Sequence, residues 1–255
     1  RRDYVKLGQP ATTLSAGEFN ASAGCTDTRR NVKEGYRHAK MIPAVIILDP
    51  APTVHAPLPV FLSTGIRALD HAVEGFCSGK SNPASDGLFL HAIKLLALGL
   101  PAVKHDPADL DARLQCQLAM WVAMAARQAG APMGASHAIG HVLGGTCGVA
   151  HGFTSCLMLP HVMRYNHGVN AGLQTQVAEA MGRKGEDAAD VIAHGFDERR
   201  EPNRIQQVES VDQQIVVLTH RHARAPSLPP FDAGPAIDGG AQQADYDACP
   251  FHILE

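Results

Sequence analysis

Apolar residues recur at helical spacing through the middle of the chain. From about residue 57 the pattern predicts helices over 63–78, from Ser85 onward and over 110–128. Ser85 has the residue type of a helix N-cap, and Gly130 stands where a helix C-terminus would place it. The middle of the chain is therefore predicted to be all-helical.

Three shorter segments extend this helical pattern. Ser136 is expected to cap a short buried helix that runs through Leu143. Residues 157–165 continue apolar, and the internal Pro160 predicts either a kink or a helix start. A further helix is predicted over 175–183.

Strand and loop patterns flank the helices. Residues 41–48 form a β-branched run that predicts a buried strand, and Ser15 and Glu18 have the spacing of a capping box. After about Ala193 neither period is sustained, and only residues 214–219 resemble a strand. The character of the chain thus changes near residues 56 and 193.

Composition and charge narrow the range of partners. The 255 residues contain 22 Lys and Arg against 25 Asp and Glu, and the basic residues are scattered, so no nucleic acid is expected. We expect no segment long enough to cross a membrane and no signal peptide at the start. The six cysteines form no C-x-x-C pair. Reduced thiols and a cytoplasmic location are therefore predicted.

Three histidines lie within fifteen residues. His137 and His141 are four apart, so they share one face of a helix, and His151 follows in a loop of small residues that can fold back. Imidazoles in apolar surroundings are costly to bury unless they bond a metal, a substrate or each other. This density favours a site over the alternative of separate core histidines bonded to backbone carbonyls.

A second segment carries charge on one helical face. Arg67, Asp70, His71 and Glu74 stand at i, i+3, i+4 and i+7. Such a face can be an exposed ladder of ion pairs. The remaining residues of this helix are apolar, however, so we expect the face to be buried, and buried charges need a partner or a function.

These segments resemble a known family. The chain is similar to the iron-containing alcohol dehydrogenases, and most similar to their maleylacetate reductase branch, from about residue 8 to about residue 190. The segments that carry the resemblance are 65–78, 136–145 and 149–166, with Thr12-Thr-Leu-Ser and 27–33 upstream.

The resemblance implies a fold of two domains, α/β plus all-α, with the architecture of dehydroquinate synthase. It implies that residues 1–56 are the remnant of an α/β cofactor-binding domain whose N-terminal dinucleotide-binding part is largely missing. Residues 57–193 would be the all-helical catalytic domain. Residues 194–255 would be an irregular tail, either disordered or read from a shifted frame.

The resemblance also implies a ligand set. In metal-dependent members an Asp and three His bind iron or zinc, and the three His match His71, His137 and His151. The Asp falls on Arg67, as in the maleylacetate reductase branch. A guanidinium repels a divalent ion, and Asp70 points about a quarter-turn away from His71. Metal is therefore expected to be weakly bound or absent.

The implied reaction is reduction of maleylacetate to 3-oxoadipate by NADH or NADPH, in the breakdown of aromatic compounds. His137 and His141 are expected to act as hydrogen-bond donor and acid toward an enolate, with His71 and His151 lining the pocket. Arg67 would bind a carboxylate of this dicarboxylate substrate with its two-pronged guanidinium.

Cofactor contacts are implied for Thr12, Thr13 and Leu14, which match residues near the nicotinamide, and for Lys33, near the ribose. From the residues alone these would be a strand end and a surface charge. A homodimer is a further expectation.

Two rival functions remain open. One is a metal-dependent alcohol dehydrogenase of the same family, with the missing carboxylate supplied by Asp70 or water. The other is an inactive fragment that keeps only the helical domain as a binding module.

Overall fold

The computed structural model describes residues 9–27, 29, 32–147, 149–194 and 216–219. All of them belong to the first of the two units into which the chain divides, Arg1–His220. This described part is mostly helical. Its elements are β1 (Gln9–Pro10), β2 (Ser22–Asp27), β3 (Val32–Arg37), β4 (Val45–Leu48), α1 (Leu58–Phe76), α2 (Pro83–His105), α3 (Leu110–Gln128), α4 (Ala135–Thr146), α5 (His151–Ala180), α6 (Ala188–Ala193) and β5 (Val216–Thr219).

Helix α1 lies at the centre of the helical part, where it packs against α2, α3 and α5. It begins at Leu58, five residues before the predicted start, because Pro57 and Pro59 suit the first turn. Leu69 and Val73 are among its fully or nearly fully buried apolar residues. The helix therefore carries its polar residues inside the domain.

Helices α2 and α3 show how local signals succeed and fail. Helix α3 has the predicted bounds, and Gly130 follows it with a positive φ of 113° that favours glycine. The prediction of Ser85 as the cap of α2 is wrong. Asn82 is the cap, and the Ser85 hydroxyl completes a capping box by accepting from the Asn82 N–H at 2.9 Å.

Helix α5 joins two predicted helices into one. Pro160 lies inside it, and the kink occurs instead at Asn170, whose φ of −136° is not helical. The Gln174 amide bridges this point by donating to Asn170 Oδ1 at 2.8 Å and to the Met163 carbonyl at 2.7 Å. The short helix α6 was not predicted.

The strands form two small sheets. In the first, β4 pairs in parallel with β1 and antiparallel with β5, while β2 and β3 form a separate antiparallel hairpin. The predicted strand over 41–48 is shortened to β4, and the one predicted within 214–219 is confirmed as β5. The capping box at Ser15 and Glu18 is wrong, because a short 3-10 helix begins there after Ala16 with φ 62°. The rest of the predicted irregular tail lies outside the described residues.

The expectation that no segment is long enough to cross a membrane is wrong for α2. By length and composition it is the one helix in the described part of the chain that could do so. Of the most apolar 18-residue stretch of α2, 44% is buried within the protein. The helix packs extensively against α3. An apolar core helix passes the same test.

Candidate functional site

Helix α1 turns four polar side chains toward the protein interior. Arg67, Asp70, His71 and Glu74 are 5%, 0%, 3% and 7% exposed. This confirms the prediction of a buried face and excludes an exposed ladder of ion pairs. Buried charge at this density requires compensation, and the neighbouring helices α4 and α5 supply it.

His137 of α4 meets this face directly. Its Nδ1 lies 2.7 Å from Glu74 Oε2 and 3.3 Å from Asp70 Oδ2. Its ring stacks on that of His71, with centroids 4.6 Å apart. The other ring nitrogen, Nε2, is buried and makes no hydrogen bond to any residue that the structure describes. Such an atom is suited to a metal ion or a substrate oxygen.

Glu74 also caps α4 from outside that helix. Its carboxylate accepts hydrogen bonds from the backbone N–H groups of Gly134 (3.0 Å), Ser136 (2.6 Å) and His137 (3.4 Å). Helix α4 has no side-chain cap of its own. A Cβ at position 134 would lie 2.5 Å from Glu74 Oε1, so a larger residue there would displace this carboxylate.

Ser136 was predicted to cap α4, and this is wrong. The helix begins before it, at Ala135. Its hydroxyl instead donates to Asp70 Oδ2 at 2.8 Å. Asp70 was expected to point about a quarter-turn away from His71, and its carboxylate contacts Ser136 and His137 of α4. Two carboxylates therefore converge on one imidazole nitrogen.

The surroundings of Asp70 raise the pKa of its carboxyl group. Burial raises the pKa of this carboxyl to about 6, and the charge of Glu74 raises it as well. His137 opposes the shift, as do the hydroxyls of Ser155 and Ser136. Asp70 can therefore gain or lose a proton more easily near neutral pH than an exposed aspartate.

The charge of Arg67 is offset inside the same cluster. Its Nη1 donates to Ser155 Oγ of α5 at 3.2 Å. Burial lowers the pKa of the guanidinium, while the charges of Asp70 and Glu74 raise it. One cation thus faces two carboxylates. Their negative charge offsets the repulsion between the guanidinium and a divalent ion.

The residues present fit a metal ion of the iron or zinc type. His137 offers a buried Nε2 that has no partner among the described residues, and His71 is stacked beside it. Imidazole nitrogens suit both metals. The expected absence of metal depended on repulsion by Arg67, which the two carboxylates reduce. That expectation therefore has no support from the structure.

A second donor set lies on the other side of the His137 ring. Ligand atoms of Asp70, Glu74 and His137 come within 4.8 Å of one another, a spacing that would also allow a cation. In the structure these atoms already serve one another and the α4 backbone as hydrogen-bond partners. A cation at this position would have to replace the proton on Nδ1.

His141 and His151 are the two remaining predicted histidines. His141 is on α4 one turn after His137, and its side chain is exposed. His151 is the first residue of α5, and its side chain lies outside the described part of the structure. The structure thus brings together Arg67, His71 and His137, while His141 is on the solvent side.

The residues predicted to contact the cofactor differ in how exposed they are. Leu14 is fully buried, and its N–H donates to Thr64 Oγ1 of α1 at 3.1 Å, so its side chain belongs to the core. Thr12 is exposed and Thr13 is half-buried, so both can contact a ligand. Lys33 lies in β3 opposite Thr26, and its side chain is outside the described part.

Gln117 fixes the position of this segment. Its amide donates to the carbonyls of Ala11 at 2.9 Å and Asp49 at 3.1 Å, which ties the loop after β1 and the end of β4 to α3. Gln117 was not predicted as a functional residue, nor were Gly134 and Ser155 as parts of the cluster. No local pattern marks them, because each acts on residues at least 60 positions away.

Comparison with known proteins gives a family match. Residues 61–207 match the family profile described as Fe-containing alcohol dehydrogenase family, C-terminal. Dehydrogenase ALT3 of Alternaria alternata is 33% identical over 237 residues, covering 80% of this chain and 61% of that protein. A maleylacetate reductase of Sphingobium indicum is 32% identical over 166 residues, covering 65% and 46%.

A solved structure shows the same fold. The sulfoacetaldehyde reductase of Bifidobacterium kashiwanohense, in complex with NAD+, has 28% identity and a TM-score of 0.66, with 72% of this chain and 50% of that chain covered. The chain spans roughly half the length of the proteins it matches, from 46% to 61% of the curated relatives above.

Proposed function

Because the chain belongs to the iron-containing alcohol dehydrogenase family, we propose that it uses NADH or NADPH to reduce a carbonyl compound that bears carboxylates. The substrate we favour is maleylacetate, with 3-oxoadipate as the product. Relatives named maleylacetate reductase and a structural neighbour that binds NAD+ support this proposal. Residues 1–56 as a domain remnant, the cytoplasmic location and the homodimer stay predictions.

The observation that carries the proposal is the buried guanidinium of Arg67, on the same helical face as His71. An arginine holds a carboxylate through two parallel hydrogen bonds. One N–H of Arg67 is used by Ser155, and the fork has others to offer. A simple alcohol has no carboxylate for such a group.

The reaction requires a hydrogen-bond donor at the ketone oxygen and one proton for the carbon next to the ketone. Hydride from the reduced nicotinamide goes to the carbon β to the ketone, and the resulting enolate takes up one proton to give 3-oxoadipate and the oxidised cofactor. Protonated His137 can donate from Nε2, while Glu74 and Asp70 stabilise the imidazolium at Nδ1. His141, on the solvent side, is the proposed route by which His137 is reprotonated.

A metal ion would have defined ligands in this site. We propose that His71, His137 and His151 would hold it, and that when bound it would polarise the substrate oxygen in place of the Nε2 proton of His137. Thr12 and Thr13 are proposed to contact the nicotinamide half of the cofactor and Lys33 its ribose.

The test is oxidation of NADH or NADPH by the full chain with maleylacetate, with and without a chelator. Turnover of maleylacetate in preference to simple aldehydes supports the proposal. Turnover of simple aldehydes alone, lost with chelator and restored by iron or zinc, would favour the alcohol dehydrogenase. Absence of saturable NADH binding by fluorescence would favour the binding module.

A further inference from the structure

Glu74 touches more of the site than a helix cap requires. We propose that Glu74 is a positioning residue, which keeps the proton of neutral His137 on Nδ1 and so makes Nε2 the nitrogen that serves the reacting molecule. The link to catalysis rests on the proposed function. The position of the proton does not, since it is a property of the protein alone.

The hydrogen-bond partners of His137 determine where its proton lies. Nδ1 faces two carboxylates, Glu74 at 2.7 Å and Asp70 at 3.3 Å, and an ionised carboxylate can only accept. A neutral imidazole has one proton, so a donor at Nδ1 leaves Nε2 with a lone pair. Nε2 has no hydrogen-bond partner among the described residues that would draw the proton there.

The Glu74 carboxylate is held in place by the helix that carries His137. The N–H of Ser136 binds Oε1 at 2.6 Å, and the N–H of Gly134 binds Oε2 at 3.0 Å. The partial positive charge at the N-terminus of α4 attracts this carboxylate. The acceptor is therefore fixed relative to the ring, and the ring cannot turn without losing it.

Asp70 is the competing candidate for the same role. Its Oδ2 is 0.6 Å farther from Nδ1 than Glu74 Oε2, and it already accepts from Ser136. A purely structural role for Glu74 is the other alternative. It predicts that a change at Glu74 alters stability and leaves the ring proton in place.

The experiment is nitrogen NMR of the full chain with ¹⁵N-labelled histidine, treated with chelator, at a pH above the titration of His137. The ring shifts separate protonated from unprotonated nitrogens, and a His137→Asn variant assigns the signals. In the wild type we expect the proton on Nδ1. In Glu74→Gln we expect it on Nε2, because the Gln NH₂ would take the Oε2 position and donate to Nδ1.

The Gln side chain is expected to choose this orientation for a physical reason. Its carbonyl oxygen is needed at the Oε1 position, where the Ser136 N–H makes the shortest of the backbone contacts. Asp70→Asn is the matched control. It changes the second carboxylate and leaves Glu74 intact, so the wild-type proton position should persist.

The proposal would be overturned if the His137 ring proton lies on Nε2 in the wild type, or if it stays on Nδ1 in Glu74→Gln. It would also be overturned if the proton moves from Nδ1 in Asp70→Asn. Loss of the Nδ1 proton on adding Zn²⁺ to the wild type would overturn it too, because it would place the cation among Asp70, Glu74 and Nδ1. If Glu74→Gln fails to fold, the wild type and Asp70→Asn still decide. If the His137 ring proton lies where we expect and maleylacetate is not turned over, the role of Glu74 is supported and the proposed substrate is refuted.

Discussion

Arg67 of α1 donates a hydrogen bond to Ser155 of α5, and both residues are buried, at 5% and 1% exposure. This bond links the two helices through a charged group in the core. The same guanidinium offsets Asp70 and Glu74. Its removal is therefore expected to cost more than one hydrogen bond.

Replacing Arg67 by methionine should strongly destabilise the fold. Two buried carboxylates would lose their cation, for which we expect a loss of about 3–5 kcal/mol in the free energy of unfolding. Ser155→Ala is the matched control and should cost about 1 kcal/mol, since it removes one hydrogen bond and no charge. Denaturant titration measures both, and equal costs would contradict the charge argument.

Replacing Arg67 by aspartate should create a stronger metal site. The variant places a carboxylate at the position that the family resemblance assigns to the metal-binding Asp, on the same buried helical face as His71. Added Zn²⁺ should then raise its melting temperature more than that of the wild type, because a ligand that binds only the folded state stabilises it. Arg67→Asn loses the cation without adding a carboxylate. An equal zinc response in that variant would refute the prediction.

Gly152 should not tolerate a methyl group. A Cβ there would lie 2.7 Å from Ser63 Oγ and 3.2 Å from the Ser63 carbonyl carbon, at the contact between α5 and α1. We expect Gly152→Ala to cost about 1–3 kcal/mol by overpacking. Gly168 lies on the same helix with open space around it, so Gly168→Ala should stabilise by about 0.5–1 kcal/mol. Opposite signs in thermal melts are the expected result.

Removing the Gln117 amide should loosen the segment with Thr12 and Thr13. Gln117→Ala frees the carbonyls of Ala11 and Asp49, so amide exchange over 11–16 should accelerate and KM for NADH should rise. Gln115→Ala on the same helix breaks only a bond to Leu95 and should leave both unchanged. If amide exchange over 11–16 accelerates while KM for NADH stays normal, the proposal that Thr12 and Thr13 contact the cofactor is contradicted.

The thiols should react in two groups. Burial disfavours the thiolate and raises the pKa of Cys77 and Cys116 to about 12, and that of Cys156 to about 11. Cys25 and Cys147 are exposed.

Because the thiolate is the nucleophile, alkylation near about pH 8 should first modify the exposed pair. Cys116 is buried and Cys77 and Cys156 are half-buried, and all three should react only on unfolding or as the pH rises toward their pKa values. Mass spectrometry of peptides after timed labelling checks this. Early labelling of Cys116 would show that the core opens.

The sequence predicts those features whose causes are local. Helix α3 was predicted with its observed bounds because its apolar period is regular and Gly130 marks its end. The buried face of Arg67 and His71 was likewise predictable from spacing on one helix. Pro160 was ambiguous, because proline suits the first turn of a helix and is also found inside longer ones.

Contacts between distant segments could not be predicted in this way. Both Asn82 and Ser85 are good caps by residue type, and only the packed helix shows which one starts it. The match of Glu74 with Gly134 spans 60 residues, and no period connects them. His141 shares its helical face with His137 in principle, yet the tertiary fold leaves one outside and the other inside.

The capping carboxylate of α4 belongs to another helix, and this affects how the protein assembles. An isolated 134–146 peptide would lack any side chain to satisfy its first N–H groups, so its opening turn gains that support only after α1 has docked. Chain collapse and the ordering of the His137 imidazole are thereby one cooperative event. A half-folded intermediate would hold the right residues and still lack a working centre.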